Sequence, residues 1–575
     1  MLTLGLNAAF HDSAACLVRD GAIVAACEEE RFTRIKHGKR PVPFSTWELP
    51  FAAIHDCLRQ AGASLSDVDH VAYSFDPLVL LGPGGGKTIT LPLEPSAHPA
   101  AGGWDGVWDP LFVASIVNAP RHLASGAPHH LAARFAGVAH DGPFRWHFVP
   151  HHLAHAASAF LPSPFERAAV MTLDGRGERS TTSYGLGQGT AMEPLGQVEM
   201  PHSLGLLYER VTSHLGFLHS SDEYKVMALA SFGAPSLLER FREVVVLDGA
   251  GRYVVRWERL PALLGEPRRR GGPIEPRHLD IARSLQELLE ETALAMARWL
   301  HRQTGAESLC LAGGVALNCV MNARLRDEGP FRSIWVQPAA GDAGTALGAA
   351  LWIDARHRPG AGRAPMEHVF LGPSFQEQEI EALLRSAKCS YRRLDDVAAG
   401  TAELLAEGRI VGWFQGRMEF GPRALGARSI LASPIDPAMK DRLNEIKDRE
   451  DFRPVAPVVL EEEASTWFLL DRPSPFMLFT CGIRPGQSAR IPAVVHVDGT
   501  ARVQTIRRDQ NPLYHELLRA FAARTGVPVL VNTSFNTRGE PIVCMPRDAL
   551  ESFWSTPLDA LVIGPFALEK PGAPR

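Results

Sequence analysis

Three histidines stand within five residues in the stretch PHHLAHAASAF, Pro150 to Phe160. On a helix His151 and His155, at i and i+4, share one face, whereas His152 is offset from both. Two imidazoles on one face can hold a transition metal when ligands from elsewhere complete the set. With 22 histidines in 575 residues, roughly one such pair is expected by chance, so helix-surface histidines are the default reading of this stretch alone. Two aspartates are candidate partners. Asp174 ends the apolar run AAVMTL before a Gly-x-Gly turn, and Asp342 follows Gly341 ahead of the small-residue run AGTALGAA. Each alone reads as a cap or turn residue. Together the four would make a two-histidine, two-carboxylate site for Fe(II), Mn(II) or Zn(II), although nothing in the spacing forces them to meet.

A second set lies near the C-terminus. GRMEFGPRALGARS places Arg417, Arg423 and Arg428 around Gly421 and Gly426, and EIKDREDFRP adds Lys447 and Arg453. Cations gathered at glycine turns in a chain of formal net charge -5 indicate a local anion site, and guanidinium groups suit bidentate contact with phosphate or carboxylate. VNTSFNTRGEP contributes Asn532, Ser534 and Asn536 as hydrogen-bond donors at a strand end. In LAGGVALN, Gly313 and Gly314 stand where a strand hands over to a helix, which serves equally for a nucleotide approaching backbone amides and for a tight turn. GPGGGKT, Gly82 to Thr88, is one residue short of a P-loop and is followed by ITLPLEP rather than a helix, so a glycine turn is expected.

The elements that must position these residues alternate. Residues 2–8 read as a strand, and ACLVRDGAIVAACEEE reads as two more turning at Asp20-Gly21. A helix ending near Gly62 and the strand VDHVAYSF follow. From Asp76 to about Pro143 the composition turns Gly-, Pro- and His-rich, with Trp104 and Trp108, and reads as a long insertion. Beyond it come the strand before Asp174, a long helix with Ile281, Leu285, Leu288 and Leu289 on one face, the strand SLCLAGG running into the helix VALNCVMNARLRDEG, the strand SIWVQP, and the helix after Asp342. Strands ending in Gly or Asp at a helix entrance mark the usual ligand crevice of an open α/β sheet. The register changes near residues 362–375, where a boundary is placed before a second α/β domain. No internal repeat of 20–50 residues is seen.

Bulk properties narrow the classes. A chain of this length divides into two to four domains. Its acidic balance argues against nucleic acid as the main partner, and Arg268-Arg269-Arg270 reads as a solvated loop. Eight scattered cysteines without a Cys-x-x-Cys read as reduced, buried thiols of a cytoplasmic protein. Neither an export signal nor an apolar run approaching 18 residues is found, so no membrane partner is expected.

In order along the chain, GLNAAFHDSAA, EEERFTRIKH, HHLAHAASAF, TLDGRGE, KVMALASFG, LAGGVALN, QPAAGDAGTALGAA, GRMEFGPRALGARSILA, KDREDFRPVAP and VNTSFNTRGEPIV resemble the NodU/CmcH family of O-carbamoyltransferases. The resemblance implies an α/β protein with an N-terminal ASKHA-like domain (actin, sugar kinase and Hsp70 type, akin to the tRNA threonylcarbamoyl-transfer enzyme) over residues 1–361, carrying the insertion at about 76–143. A smaller YrdC-like α/β domain would occupy residues 362–575. By the same resemblance, His151, His155, Asp174 and Asp342 hold a divalent metal, with Fe(II) the expected ion, and His11 and Asp12 lie beside the acceptor. Arg423, Lys447, Arg453, Arg502, Ser534 and Asn536 make carbamoyladenylate from carbamoyl phosphate and ATP with Mg(II), and Gly313, Gly314 and Asn318 face nucleotide. The acceptor would be a hydroxyl of a small-molecule natural product, as in antibiotic tailoring. A homodimer is compatible with this reading. Two alternatives are a tRNA threonylcarbamoyl-transfer enzyme, disfavoured by the acidic balance and the fused second domain, and a non-catalytic actin- or Hsp70-like scaffold, which leaves the Arg-rich region without a purpose.

Overall fold

Strand β1 (Leu2–Asn7) is buried along its whole length, with Leu2, Leu4 and Leu6 alternating with Thr3, Gly5 and Asn7. It pairs antiparallel with β2 (Ala14–Arg19), which turns into β3 (Ala22–Glu28). The turn residues Asp20 and Gly21 have φ of 51° and 84°, the left-handed pair that a two-residue hairpin demands. The computed structural model describes residues 1–38, 49–81, 116–125, 144–360, 362–537 and 539–570. GPGGGKT, Trp104, Trp108 and most of the expected insertion lie outside them. Within that span the described residues include two short helices, Pro77–Leu81 and Ala119–Ser125.

Helix α1 (Phe51–Gln60) leads to β4 (His70–Tyr73), which runs parallel to β1, and β5 (Arg145–Phe148) runs parallel to β4, giving the order β3-β2-β1-β4-β5. Helix α2 (His151–Phe160) follows, and the pattern then repeats. The antiparallel meander β6 (Arg167–Leu173), β7 (Ser180–Gln188) and β8 (Ala191–Glu199) leads through the hairpin β9 (Val245–Leu247) and β10 (Tyr253–Val255) to helix α3 (Pro276–Thr304). Strands β11 (Ser308–Ala312) and β12 (Ser333–Val336) then add parallel to β6, in the order β12-β11-β6-β7-β8. β1 and β6 thus each open a three-stranded meander and each accept parallel strands on the free edge. This doubled connectivity is that of the ASKHA-type architecture. Its period is far longer than the 20–50 residues in which no repeat was found.

Helix α4 (Ala343–His357) packs on α2 and on β1. Its small residues permit the approach: a Cβ on Gly348 would lie 1.8 Å from the carbonyl oxygen of Ala154, and one on Gly5 would lie 1.9 Å from that of Ala346. Three expectations are corrected. The helix expected directly after Gly314 starts only at Cys319, because Gly314–Leu317 forms a 3-10 turn and Asn318 caps the helix. In the triple-arginine run, Arg268 is half-buried and bonded to the Leu215 carbonyl at 2.6 Å, with only Arg269 and Arg270 exposed. The third concerns the C-terminal cations, described with the site.

The chain divides into two compact units, Met1–Met366 and Glu367–Arg575. The second is built on a mixed sheet with the order β13 (Arg392–Arg393), β22 (Phe566–Glu569), β21 (Ala560–Ile563), β14 (Val411–Phe414), β15 (Arg428–Ala432), β20 (Val529–Ser534), β16 (Ala456–Leu460), β19 (Gln504–Ile506). A separate ribbon pairs β17 (Cys481–Gly482) with β18 (Thr500–Ala501). Helices α5 (Met439–Ile446) and α6 (Pro512–Thr525) belong to this unit, whose core centres on Trp413, Tyr514, Phe521 and Phe535. All eight cysteines are free and seven are buried. No helix among the described residues is long and apolar enough to cross a membrane.

Candidate active site

Helix α2 begins where the Glu178 carboxylate accepts the His151 backbone N–H at 2.9 Å and that of Asp76 at 2.7 Å, an acidic cap on the positive end of the helix. From that start the i, i+4 spacing sets the Nε2 atoms of His151 and His155 3.1 Å apart. His152 turns the other way, its Nδ1 2.7 Å from Thr172 Oγ1, and burial pushes its pKa down to about 3. Asp174, at the end of β6, and Asp342, at the N-cap of α4, close on the pair. Their oxygens lie 3.5–3.9 Å from the two Nε2 atoms.

Four buried ligand atoms from three segments therefore fall within 4.8 Å of one another. A tetrahedral ion with bonds of about 2.0–2.1 Å holds its ligands about 3.3 Å apart, so the set fits a divalent cation with little movement. Asp342 Oδ1, buried and aimed into the group, has no hydrogen-bond partner among the described residues, the orphan oxygen that a cation would satisfy. His151 Nδ1 lies 3.2 Å from the Ser74 carbonyl oxygen, which fixes the tautomer that leaves Nε2 free to ligate. Burial opposes charge on His151, Asp174 and Asp342. The Asp342 and Asp174 carboxylates nonetheless hold the His151 pKa well above its usual value. The imidazoles, with His11 joining them at Asp342, hold both carboxyls well below theirs. A divalent cation would balance the same charges.

LAGGVALN supports this cluster. Gly313 has φ 92°, and a Cβ there would lie 2.1 Å from the Leu173 carbonyl oxygen, while Gly314 N–H donates to Asp174 Oδ1 at 2.8 Å. Asn318 spends its amide on Met321 N–H and on Gln286.

Beside the cluster, His11 Nε2 stands 3.8 Å from Asp342 Oδ2, and His11 Nδ1 is 2.9 Å from Asp12 Oδ2. Asp12 has φ 51°, and Asn7 donates to the carbonyls of His11 and Asp12 to hold this turn. The other Asp12 oxygen takes His37 Nδ1 at 2.8 Å, and His37 Nε2 meets Ser221 Oγ at 3.1 Å. Burial raises the Asp12 pKa, but the His37 and His11 imidazoles outweigh it and hold the carboxyl well below the usual range. An ionised Asp12 accepts from His11 Nδ1–H, which turns Nε2 toward Asp342 and the cluster. Sequence reasoning missed His37, Ser221, Ser74 and Glu178 as site residues, although EEERFTRIKH and TLDGRGE contain two of them.

In the C-terminal unit Lys447, at the end of α5 and 6% exposed, extends its ammonium to Ser534 O at 2.5 Å, Ser534 Oγ at 3.0 Å and Asn536 Oδ1 at 2.7 Å. These three expected residues are brought together at the end of β20. Arg423, Arg453 and Arg502 are half-buried, and Arg453 lies 3.6 Å from Glu450.

The anion set needs correction at three positions. Arg428 is fully buried, gives its guanidinium to the carbonyls of Gln415, Gly416, Ala427 and Pro373, and lies 3.6 Å over the Phe414 ring. It stabilises the loop and is sealed from any anion. Arg417 donates to the Leu371 carbonyl at 2.7 Å, and Asn532 is buried against Ala424 O and Gln504 Oε1. The missed organiser of the glycine loop is Glu419, 1% exposed, whose Oε1 accepts from Leu425 and Ala427 N–H at 2.7 and 2.8 Å.

One unit of the chain thus presents a buried metal-type cluster with His11 at its edge, and the other a polar group centred on Lys447. The family profile described as Carbamoyltransferase N-terminus matches residues 2–79 and 143–351, and that described as Carbamoyltransferase C-terminus matches residues 402–570. The chain belongs to the carbamoyltransferase family and is a carbamoyltransferase, which implies a small-molecule acceptor in general. It is 42% identical over 619 aligned residues to an uncharacterized protein of Synechocystis, covering 100% of this chain and 97% of that one. It is 42% identical to nodulation protein NolNO of Sinorhizobium fredii (98% and 80% covered), and 44% identical to nodulation protein NolO of Bradyrhizobium diazoefficiens (73% and 78% covered). Among solved structures it is similar to full-length HypF in the phosphate- and nucleotide-bound form, with 13% identity, TM-score 0.35, and coverage of 63% of this chain and 56% of that one.

Proposed function

We propose that the chain is an ATP-dependent O-carbamoyltransferase working in two half-reactions, with carbamoyladenylate formed in residues 362–575 and consumed in residues 1–361. Nitrogen donation into the carbonyl makes carbamate a poor electrophile, and a mixed anhydride with AMP supplies the missing leaving group. Water hydrolyses carbamoyl phosphate to carbamate and phosphate, one new bond to the water oxygen replacing the broken anhydride bond. A carbamate oxygen then attacks the α-phosphorus of ATP, supplied with Mg(II), and pyrophosphate leaves. Lys447, Arg423, Arg453 and Arg502 would offset the charge on the migrating and departing phosphates, with Ser534 and Asn536 orienting the ammonium.

In the second half-reaction a natural-product hydroxyl, antibiotic scaffolds included, attacks the carbamoyl carbon and AMP departs with the electrons of the broken C–O bond. His11 Nε2 receives the hydroxyl proton, while Asp12 keeps the imidazole oriented and stabilises its cation. A divalent metal held by His151, His155, Asp174 and Asp342, for which Fe(II) is the family expectation, would supply Lewis acidity toward the carbonyl or the adenylate phosphate. Gly313, Gly314 and Asn318 would line the nucleotide side of this cluster.

The observation that carries the reading is the convergence of two imidazoles and two carboxylates around the orphan Asp342 Oδ1, with His11 at its edge. Two variants test it. Arg423→Ala should abolish pyrophosphate release that depends on both ATP and carbamoyl phosphate. His155→Ala should keep that release and lose the gain of one carbamoyl on acceptor scaffolds, followed by mass spectrometry. Unchanged release in Arg423→Ala, or loss of both steps in a folded His155→Ala, rejects the division of labour.

A further inference from the structure

A second group of imidazoles lies apart from the residues assigned to carbamoyl transfer. His70 on β4 and His147 on β5 are diagonal neighbours on one face of the sheet, since Ala72 pairs with His147 and His70 with Arg145. His357 is the last residue of α4. Its ring centroid is 4.2 Å from that of His70 and 5.2 Å from that of His147. One ring nitrogen from each of the three falls within 4.8 Å of the others.

From this juxtaposition we infer that His70, His147 and His357 form a second divalent transition-metal site, of the zinc class, with three imidazole ligands and a fourth position open on the exposed side of His357. Three neutral nitrogen donors suit zinc, nickel or copper rather than magnesium or calcium. His70 Nδ1 and His147 Nε2 lie 2.9 Å apart, within about half an ångström of the roughly 3.3 Å separation of tetrahedral ligands. His357 Nδ1 lies 3.0 Å from the Ile353 carbonyl oxygen. That places its proton on Nδ1 and leaves the Nε2 lone pair for an ion, the backbone-carbonyl arrangement found at histidine ligands.

A buried carboxylate backs the group. Asp354, one turn before His357 and 1% exposed, pairs through Oδ2 with Arg358. Its Oδ1 has no hydrogen-bond partner among the described residues, and its charge is felt at His70. The state of the rings is also suitable. Burial, reinforced by the neighbouring histidines, lowers the His70 pKa and pushes that of His147 down to about 4, which disfavours their charged forms. An ion there would tie the edge of the first sheet to the last turn of α4, whose first turn carries Asp342.

Full-length protein stripped with a chelator is titrated with Co(II) at neutral pH, reading bound equivalents and the visible d–d absorption that nitrogen ligation produces. Wild type should bind one equivalent more than His357→Ala, and the same equivalent should vanish in His147→Gln. His357 is exposed, so the metal-free melting temperature of His357→Ala should match wild type, which separates loss of a ligand from loss of fold. Zn(II) should displace the Co(II) and bleach the band. Equal stoichiometry in wild type and both variants would mean a neutral hydrogen-bonded histidine stack only, and the inference would fall.

Discussion

At the scale of single residues, the chemistry depends on charges held where water would not leave them. Asp12 sits between two imidazoles, and its carboxylate fixes how the His11 ring is turned toward Asp342. Asp12→Asn keeps the shape but can present an N–H to the ring, so carbamoyl transfer should fall about a hundredfold or more, while pyrophosphate release is unchanged; single-turnover assays of each step check this. Glu223 is an opposite case. Burial, with Glu209 beside it, raises its pKa to about 7. A carboxyl raised above its unfolded value stabilises fully below about pH 4.5 and loses that contribution as pH climbs toward 7. Denaturant melts of Glu223→Gln should therefore show a gain of about 1–3 kcal/mol over wild type at pH 8 and little at pH 4.5. A gain that is the same at both pH values would exclude titration of Glu223 as its source.

At the scale of elements, α4 is the member that cannot move. It carries Asp342 at one end and lies against α2, which carries both histidines, with glycine at the closest approaches. A methyl at Gly348 would lie 1.8 Å from Ala154 O and 2.7 Å from Ser158 N, backbone atoms that cannot turn aside. Gly348→Ala should cost about 1–3 kcal/mol and, by parting α2 from α4, should weaken metal binding in chelator competition more than it lowers the melting temperature of metal-loaded protein. Arg356→Lys, at an exposed position of the same helix, is a suitable control. Much of this was legible beforehand: the i, i+4 histidines, the hairpin at Asp20-Gly21 and the small-residue helix after Asp342 are local patterns with local causes. What stayed hidden was non-local. No spacing rule brings His37 to Asp12 across 25 positions, or doubles a sheet connectivity without a sequence repeat. Arg428 reads as an anion ligand because composition cannot distinguish a guanidinium facing ligand from one wrapped in four carbonyls.

At the scale of the whole molecule, two compact units divide the chain at Met366 and Glu367. The core around Trp413 and Phe521 is built from residues between Ile380 and Leu568, enough for a domain with its own cooperative transition. Each proposed ligand then acts on one unit, and ligand binding stabilises only the fold that binds it. Differential scanning calorimetry should resolve two transitions. ATP analogue with carbamoyl phosphate at about a hundred times Kd should raise one of them by the equivalent of about 2.7 kcal/mol, or roughly 5–10 °C for a unit of this size, and Lys447→Met should remove that shift. Chelator should lower the other, and His155→Ala should reduce that drop, leaving only the part owed to an ion at His70, His147 and His357. A single transition that moves under both treatments, or a Lys447→Met protein that still responds to nucleotide, would show that the two chemistries are not housed in separately folding units.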